Sequence, residues 1–191
     1  MRGLVVIGAS AGGVQALLTL LPALPADFAW PVLIVVHVPP EHDHGLAALF
    51  AARCPIRVRE AEDKQLPEPG TVYFAPANYH LLVEPDGSMA LSADDPVNHS
   101  RPSIDVLLES AADALRRRVT AVLLTGANQD GAEGLRAVAL AGGTVIVEDP
   151  ATARVPTMPA AGLALCPGAT RLAIDAIAPH LNRLASAHVR P

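Results

Sequence analysis

Two apolar runs near the start of the chain each stop abruptly on polar chemistry. Leu4-Val5-Val6-Ile7 gives way to Gly8-Ala9-Ser10-Ala11-Gly12-Gly13, and Val32-Leu33-Ile34-Val35-Val36 ends on His37. Short, continuous apolar runs rich in β-branched residues and bounded by turn signals read as strands buried on both faces, as in a parallel sheet covered by helices. If the two runs are neighbouring parallel strands, a hydroxyl and an imidazole emerge side by side at the carboxyl edge of one sheet. That edge is where open α/β proteins build their sites.

The rest of the chain continues the alternation of strand and helix. Helical patterns are expected over 14–21, 46–52, 102–117, 130–140 and 174–184, the last punctuated by Pro179, with strands over 56–59, 72–75, 119–124 and 144–147. The runs 81–83 and 89–91 flank Asp86-Gly87 and read as a hairpin at the margin of the sheet. The expected fold is α/β: a doubly wound, mainly parallel sheet in a three-layer αβα sandwich with an antiparallel hairpin at its margin. At 191 residues, 51% of them hydrophobic, the chain suffices for a single domain over 1–191. Aromatic residues make up only 3%, so Val, Leu, Ile and Ala must build the core.

Charge and composition exclude several classes. A net charge of −5 and a single lysine, Lys64, argue against nucleic acid as a partner, because such binding draws on neutralised phosphates. The basic run Arg116-Arg117-Arg118 reads as a favourable charge at a helix C-terminus. Cys54 and Cys166 are too few and too far apart for a disulfide scaffold or a metal clip, which fits a reducing cytoplasm. Pro22, Pro25 and Asp27 interrupt the best early apolar stretch, so no segment reaches the roughly 20 apolar residues needed to insert in a membrane. Glu41, His42, Asp43 and His44 are the only tempting metal-ligand group, together with His37. Adjacent residues on a proline-led loop rarely converge on one ion, so neither a metal nor a cofactor is expected.

The Ser10 turn allows two readings. A glycine-rich strand-to-helix turn can cradle phosphate or expose a nucleophile. A dinucleotide site would want GxGxxG and an acid at the end of the second strand, whereas this strand ends on His37. His37 is placed to take the Ser10 proton as Ser10 attacks an acyl carbon, with N–H groups of Ala11, Gly12 and Gly13 holding the oxyanion. The plainer alternative is that Ser10 only caps the following helix. A third strand end, Leu124-Thr125-Gly126-Ala127-Asn128-Gln129-Asp130-Gly131, supplies Asp130, either as the group that orients His37 or as an ordinary cap of its own helix.

These segments, taken in order, resemble the catalytic domain of the chemotaxis protein-glutamate methylesterase (CheB) family. The likeness runs through Val5-Val6-Ile7-Gly8-Ala9-Ser10-Ala11-Gly12-Gly13, Val36-His37, Glu60-Ala61, Pro69-Gly70-Thr71-Val72-Tyr73-Phe74-Ala75-Pro76-Ala77-Asn78-Tyr79-His80, Arg101-Pro102-Ser103-Ile104-Asp105-Val106-Leu107, Leu124-Thr125-Gly126 and Asp130-Gly131-Ala132. It implies a cytoplasmic serine hydrolase that demethylates glutamyl methyl esters on methyl-accepting chemotaxis receptors, with glutamine deamidation as a related activity. The family's triad falls on Ser10, His37 and Asp130. The family's N-terminal receiver domain has no counterpart in these residues, which implies either a stand-alone enzyme controlled by a separate regulatory protein or a domain excised from a longer chain. Arg101 is the expected holder of an acidic receptor side chain, and Tyr79 and His80 are candidates for a substrate groove.

The chain also departs from the family pattern. Ala11 stands where many members have threonine, and Val14 replaces a common proline. Ala127 and Asn128 replace a methionine-glycine pair beside the reacting acyl group, and Val155-Pro156-Thr157 precedes Met158-Pro159 where a tyrosine-glycine pair is common. Ala127, Asn128 and Met158 therefore join the expected substrate or oxyanion wall. These changes keep a second reading open, a noncatalytic α/β binding module of a signalling system.

Overall fold

The structure is a computed structural model that describes residues 2–37 and 45–187. The elements follow in the order β1 (Leu4–Ala9), α1 (Gly13–Leu20), β2 (Val32–Val36), α2 (Leu46–Ala51), β3 (Arg57–Glu60), β4 (Thr71–Phe74), β5 (His80–Val83) and β6 (Met89–Ser92). Then come α3 (Ile104–Leu115), β7 (Val119–Leu123), α4 (Ala132–Leu140), β8 (Thr144–Glu148), α5 (Thr157–Leu165), β9 (Thr170–Leu172) and α6 (Ile174–Ala187).

Seven strands form one sheet in the order β3-β4-β2-β1-β7-β8-β9, and every pairing in it is parallel. The chain builds outward from β1 through β2, then returns to place β7 on the other side of β1. The reversal makes the β1/β7 crevice the switch point of the sheet, where the loops on the carboxyl side splay apart and leave room for a site. Successive side chains of β1 alternate between faces. Val5 and Ile7 pack with Leu17 and Leu20 of α1, Phe50 of α2 and Leu181 of α6, whereas Leu4 and Val6 pack with Leu107 and Leu108 of α3, Leu135 of α4 and Met158 of α5. Each such Leu is fully buried. Cutting one back to alanine costs about 2–5 kcal/mol, because the aliphatic core must then carry a cavity.

The hairpin forms with Leu81 opposite Leu91 and Val83 opposite Met89, but as a separate two-stranded sheet rather than as an edge of the main one. Its inner residues Leu81, Val83 and Met89 pack into the same apolar layer as α3, and the N–H of Val83 donates to Ser110 Oγ of α3 at 3.1 Å. Two elements were not expected from the sequence. Thr157–Leu165 is helical despite Pro159, and Thr170–Leu172 adds a short edge strand. Helix α6 also runs through Pro179 to Ala187 instead of being broken there.

Candidate active site

Register places Ser10 beside His37. Ala9 and Val36 are paired across β1 and β2, and the N–H of His37 donates to the carbonyl of Ala9 at 3.0 Å. Ser10 and His37 therefore follow the last matched pair on adjacent strands, which lie about 4.8 Å apart. The N–H of Ser10 donates to Thr125 O beyond β7, at 2.9 Å, so the Ser10 turn is held from both sides.

The Ser10 hydroxyl does not cap α1. The N–H of Gly13 is taken by the backbone carbonyl of Ser10 at 2.7 Å, and no side chain caps the helix. Gly12 turns the chain with φ at 83°, in the left-handed region where a side chain would be strained. Gly13 has thus already used its N–H. Those of Ala11 and Gly12 have no partner among the described residues and are free for an oxyanion.

Asp130 is fully buried and is ringed by donors. Its Oδ1 accepts from Asn98 Nδ2 at 2.9 Å, Ser103 Oγ at 2.9 Å and the Asp105 N–H at 3.2 Å, and its Oδ2 accepts from the Ile104 N–H at 2.7 Å. It therefore caps the N-terminus of α3, not that of α4, whose cap position is Gly131. His37 Nε2 lies 3.0 Å from the same Oδ2. The two atoms are within ion-pair distance, but neither ring nitrogen of His37 has a well-formed hydrogen bond among the described residues. The proximity still matters electrostatically. Burial alone would raise the Asp130 pKa, but the contacts with His37, Asn98 and the backbone N–H groups of α3 outweigh it and hold the carboxyl below the usual range.

Sequence reasoning missed the residues that support this carboxylate. Asp105 sits in the first turn of α3, buried, with Oδ1 accepting from the Gly134 N–H at 2.7 Å and Oδ2 from Asn98 Nδ2 at 2.7 Å. One Asn98 amide thus bridges two neighbouring carboxylates. Burial, reinforced by the charge of Asp130, pushes Asp105 up to about 6. As the pair takes up a proton, Asp105 accepts it first and Asp130 keeps its charge. An acid in the first turn of an amphipathic helix ordinarily answers the helix dipole, so nothing in the spacing marked Asp105 as a partner of Asp130.

Thr125 was also missed. Its Oγ1 donates to Ala11 O at 2.9 Å and accepts from the Val155 N–H at 2.9 Å, while its own N–H donates to Glu148 Oε2 at 2.8 Å. One threonine therefore ties the Ser10 turn to the loops after β7 and β8. Glu148 is buried at the end of β8, and burial raises its pKa against that single backbone bond.

The remaining candidates divide. Asn128 Oδ1 accepts from the Asp130 N–H at 3.2 Å and shapes the turn, and Ala127 is exposed beside it. Met158 is fully buried against Gly126, where a Cβ would come within 2.5 Å of its Cε, so it supports the loop from beneath. Arg101 uses one guanidinium nitrogen on the carbonyls of Ala93, at 2.8 Å, and Asp94, at 3.0 Å. His80 is buried, taking the Ser103 N–H on Nδ1 at 3.1 Å and bonding Asp95 O through Nε2 at 3.1 Å, so its ring fastens the hairpin to the start of α3. Tyr79 stands exposed. Glu41, His42, Asp43 and His44 lie outside the described residues.

A family model described as CheB methylesterase matches residues 5–181. The chain belongs to the CheB methylesterase family. The crystal structure of the Thermotoga maritima CheB methylesterase catalytic domain matches with a TM-score of 0.92 at 35% identity, covering 96% of this chain and 99% of that one. A Leptospira interrogans protein is 45% identical over 155 residues, 81% of this chain and 80% of its own length. Protein-glutamate methylesterase/protein-glutamine glutaminase 3 of Burkholderia orbicola is 42% identical over 178 residues, 93% of this chain and 52% of its own length. This CheB-type chain thus spans about half of the Burkholderia relative. The resemblance read from the ordered motifs is borne out, and so is the mainly parallel αβα architecture.

Proposed function

We propose that this chain hydrolyses γ-glutamyl methyl esters on the cytoplasmic helices of methyl-accepting chemotaxis receptors, with Ser10 as nucleophile, His37 as base and Asp130 as the positioning carboxylate. The observation that carries this reading is the division of the His37 ring. Nε2 stands against a buried carboxylate held ionised by its donors, while Nδ1, on a ring that follows the strand beside Ser10, is buried without a partner among the described residues.

The chemistry follows from that division. As Ser10 Oγ bonds to the γ-acyl carbon, its proton passes to His37 Nδ1 and the carbonyl electrons move onto the oxygen. The N–H groups of Ala11 and Gly12 receive that oxyanion, and Asp130 stabilises the imidazolium. When the carbonyl re-forms, methoxide leaves with the proton from His37 as methanol, and the glutamyl group remains as an ester on Ser10. Water then adds to this ester, giving its proton to His37. Collapse releases the glutamate and returns the proton to Ser10. A glutamine side chain would follow the same path, with ammonia leaving.

The test is methanol release from methylated receptor cytoplasmic fragments. Wild type should release methanol and Ser10→Ala should not. Equal release by both removes Ser10 as nucleophile. No release by wild type removes the substrate, and ligand binding that survives Ser10→Ala would then favour the noncatalytic module.

A further inference from the structure

The loop after β8 carries a cation to the nucleophile turn. Arg154 lies over Gly12, and a Cβ on that glycine would fall 2.9 Å from Arg154 Cδ and 3.1 Å from its Cβ. The guanidinium begins one bond beyond that Cδ. Arg154 is exposed, and its charged end has no hydrogen bond or ion pair among the described residues.

Its backbone, in contrast, is fastened on both sides. On the N-terminal side, the N–H groups of Thr152 and Ala153 both donate to Asp149 O at 2.9 Å. On the C-terminal side, the Val155 N–H donates to Thr125 Oγ1 at 2.9 Å and Val155 O accepts from the Gly126 N–H at 3.1 Å. The carboxylate of Asp149 is turned to the Ala151 N–H, 3.0 Å away, rather than to Arg154. Arg154 thus stands on an anchored stem over the turn that follows Ser10, and its charged end, without a partner among the described residues, is available to a segment that enters the site. Arg101, the other basic residue tied to this region, has already committed one nitrogen to loop carbonyls.

We propose that Arg154 is a specificity residue that pairs with a carboxylate flanking the reacting glutamyl ester, so that the enzyme prefers ester groups embedded in acidic polypeptide segments. This rests on the esterase reading. The chain carries a net charge of −5, which opposes the approach of such a segment, and a single cation at the mouth offsets that repulsion where it matters most. Charges at the rim of a binding surface act chiefly on the encounter rate and its salt dependence.

The experiment uses the full chain and two synthetic helical peptides carrying the same glutamyl methyl ester, one flanked by glutamates and the other by glutamines. With wild type, kcat/KM should favour the acidic peptide at low salt, and the preference should fade at about 0.5 M NaCl as the charges are screened. Arg154→Gln should lower kcat/KM for the acidic peptide by about three- to fivefold, the range of an exposed ion pair. It should leave the neutral peptide within about twofold, which also reports an intact fold. Arg154→Lys should recover most of the preference, and Arg154→Glu should reverse it. If wild type cleaves neither peptide, the esterase reading falls and this assignment with it. If wild type cleaves both and Arg154→Gln affects them equally or not at all, the esterase reading stands and the assignment is overturned.

Discussion

Replacing Asp130 by asparagine keeps the side chain's shape but converts one oxygen into a donor, and the surroundings of each oxygen determine the outcome. Oδ1 faces Asn98, Ser103 and the Asp105 N–H, and Oδ2 faces the Ile104 N–H and His37 Nε2. The less costly orientation keeps the oxygen at Oδ1 and puts the new amide at Oδ2. The Ile104 N–H then loses its acceptor, and the remaining bonds lose the help of the charge, for a stability loss of about 2–4 kcal/mol. That corresponds to a fall in Tm on the order of 10 °C for a chain of this size. The amide also forces His37 Nε2 to accept, so the ring proton moves to Nδ1, the nitrogen that takes the Ser10 proton in the proposed reaction. Ester hydrolysis should fall by roughly 10³- to 10⁴-fold, carried by kcat with KM little changed. A thermal melt and steady-state methanol release measure both effects on one preparation. Retention of more than about a tenth of the activity, or a Tm within about 2 °C of wild type, would refute the reasoning.

Other perturbations probe the supports. Thr125→Val removes the hydroxyl that joins Ala11 to Val155. It should cost about 1–3 kcal/mol in denaturant unfolding, and kcat should drop while the mutant still folds. Gly126→Ala drives a Cβ into Met158 Sδ and Cε, at 2.6 and 2.5 Å, and should cost about 1–3 kcal/mol. Adding Met158→Ala should recover part of that loss, so the double mutant is more stable than the sum of the two singles. The raised pKa of Asp105 means that the folded state takes up a proton more readily than the unfolded one. Its effect on stability is therefore unfavourable at neutral pH and is relieved as pH falls from about 6 toward the unfolded value near 4. Asp130, with its pKa lowered, contributes stability above that unfolded value and loses it only as pH falls further, through its folded pKa. Urea unfolding from pH 7.5 to 4.5 should show that Asp105→Asn abolishes the gain in stability as pH falls from about 6 to 4.5, whatever it does to stability at any one pH.

How much could be read from the sequence depended on whether a residue's partner is local or distant. Ser10 and His37 were legible because each ends an apolar run, and the parallel pairing of β1 with β2 then fixes them as neighbours. Asp130 was legible as the end of a third strand, but its cap on α3 was not. Residues 103–105, which bind it, are some 25 positions earlier, and only packing of α4 against α3 brings them together. Asn98 reads as one more polar loop residue until its amide is seen between two carboxylates. Helix α5 was hidden by Pro159, which is tolerated because it falls in the first turn, where backbone N–H groups have no partner within the helix. Strand β9 is only three residues long, too short to show a period. Met158 looked like part of a substrate wall from its place in the late loop. Its packing against Gly126 depends on a close approach that no spacing encodes.

The central claim is that Ser10 is a nucleophile activated by His37. The most direct measurement is mass-spectrometric mapping of the chain after reaction with a fluorophosphonate, which forms a stable bond only with an activated serine. The account predicts one adduct per chain, on Ser10, with labelling abolished by Ser10→Ala and slowed at least about 100-fold by His37→Ala. No adduct on native protein, or an adduct elsewhere that forms equally fast in His37→Ala, would contradict it.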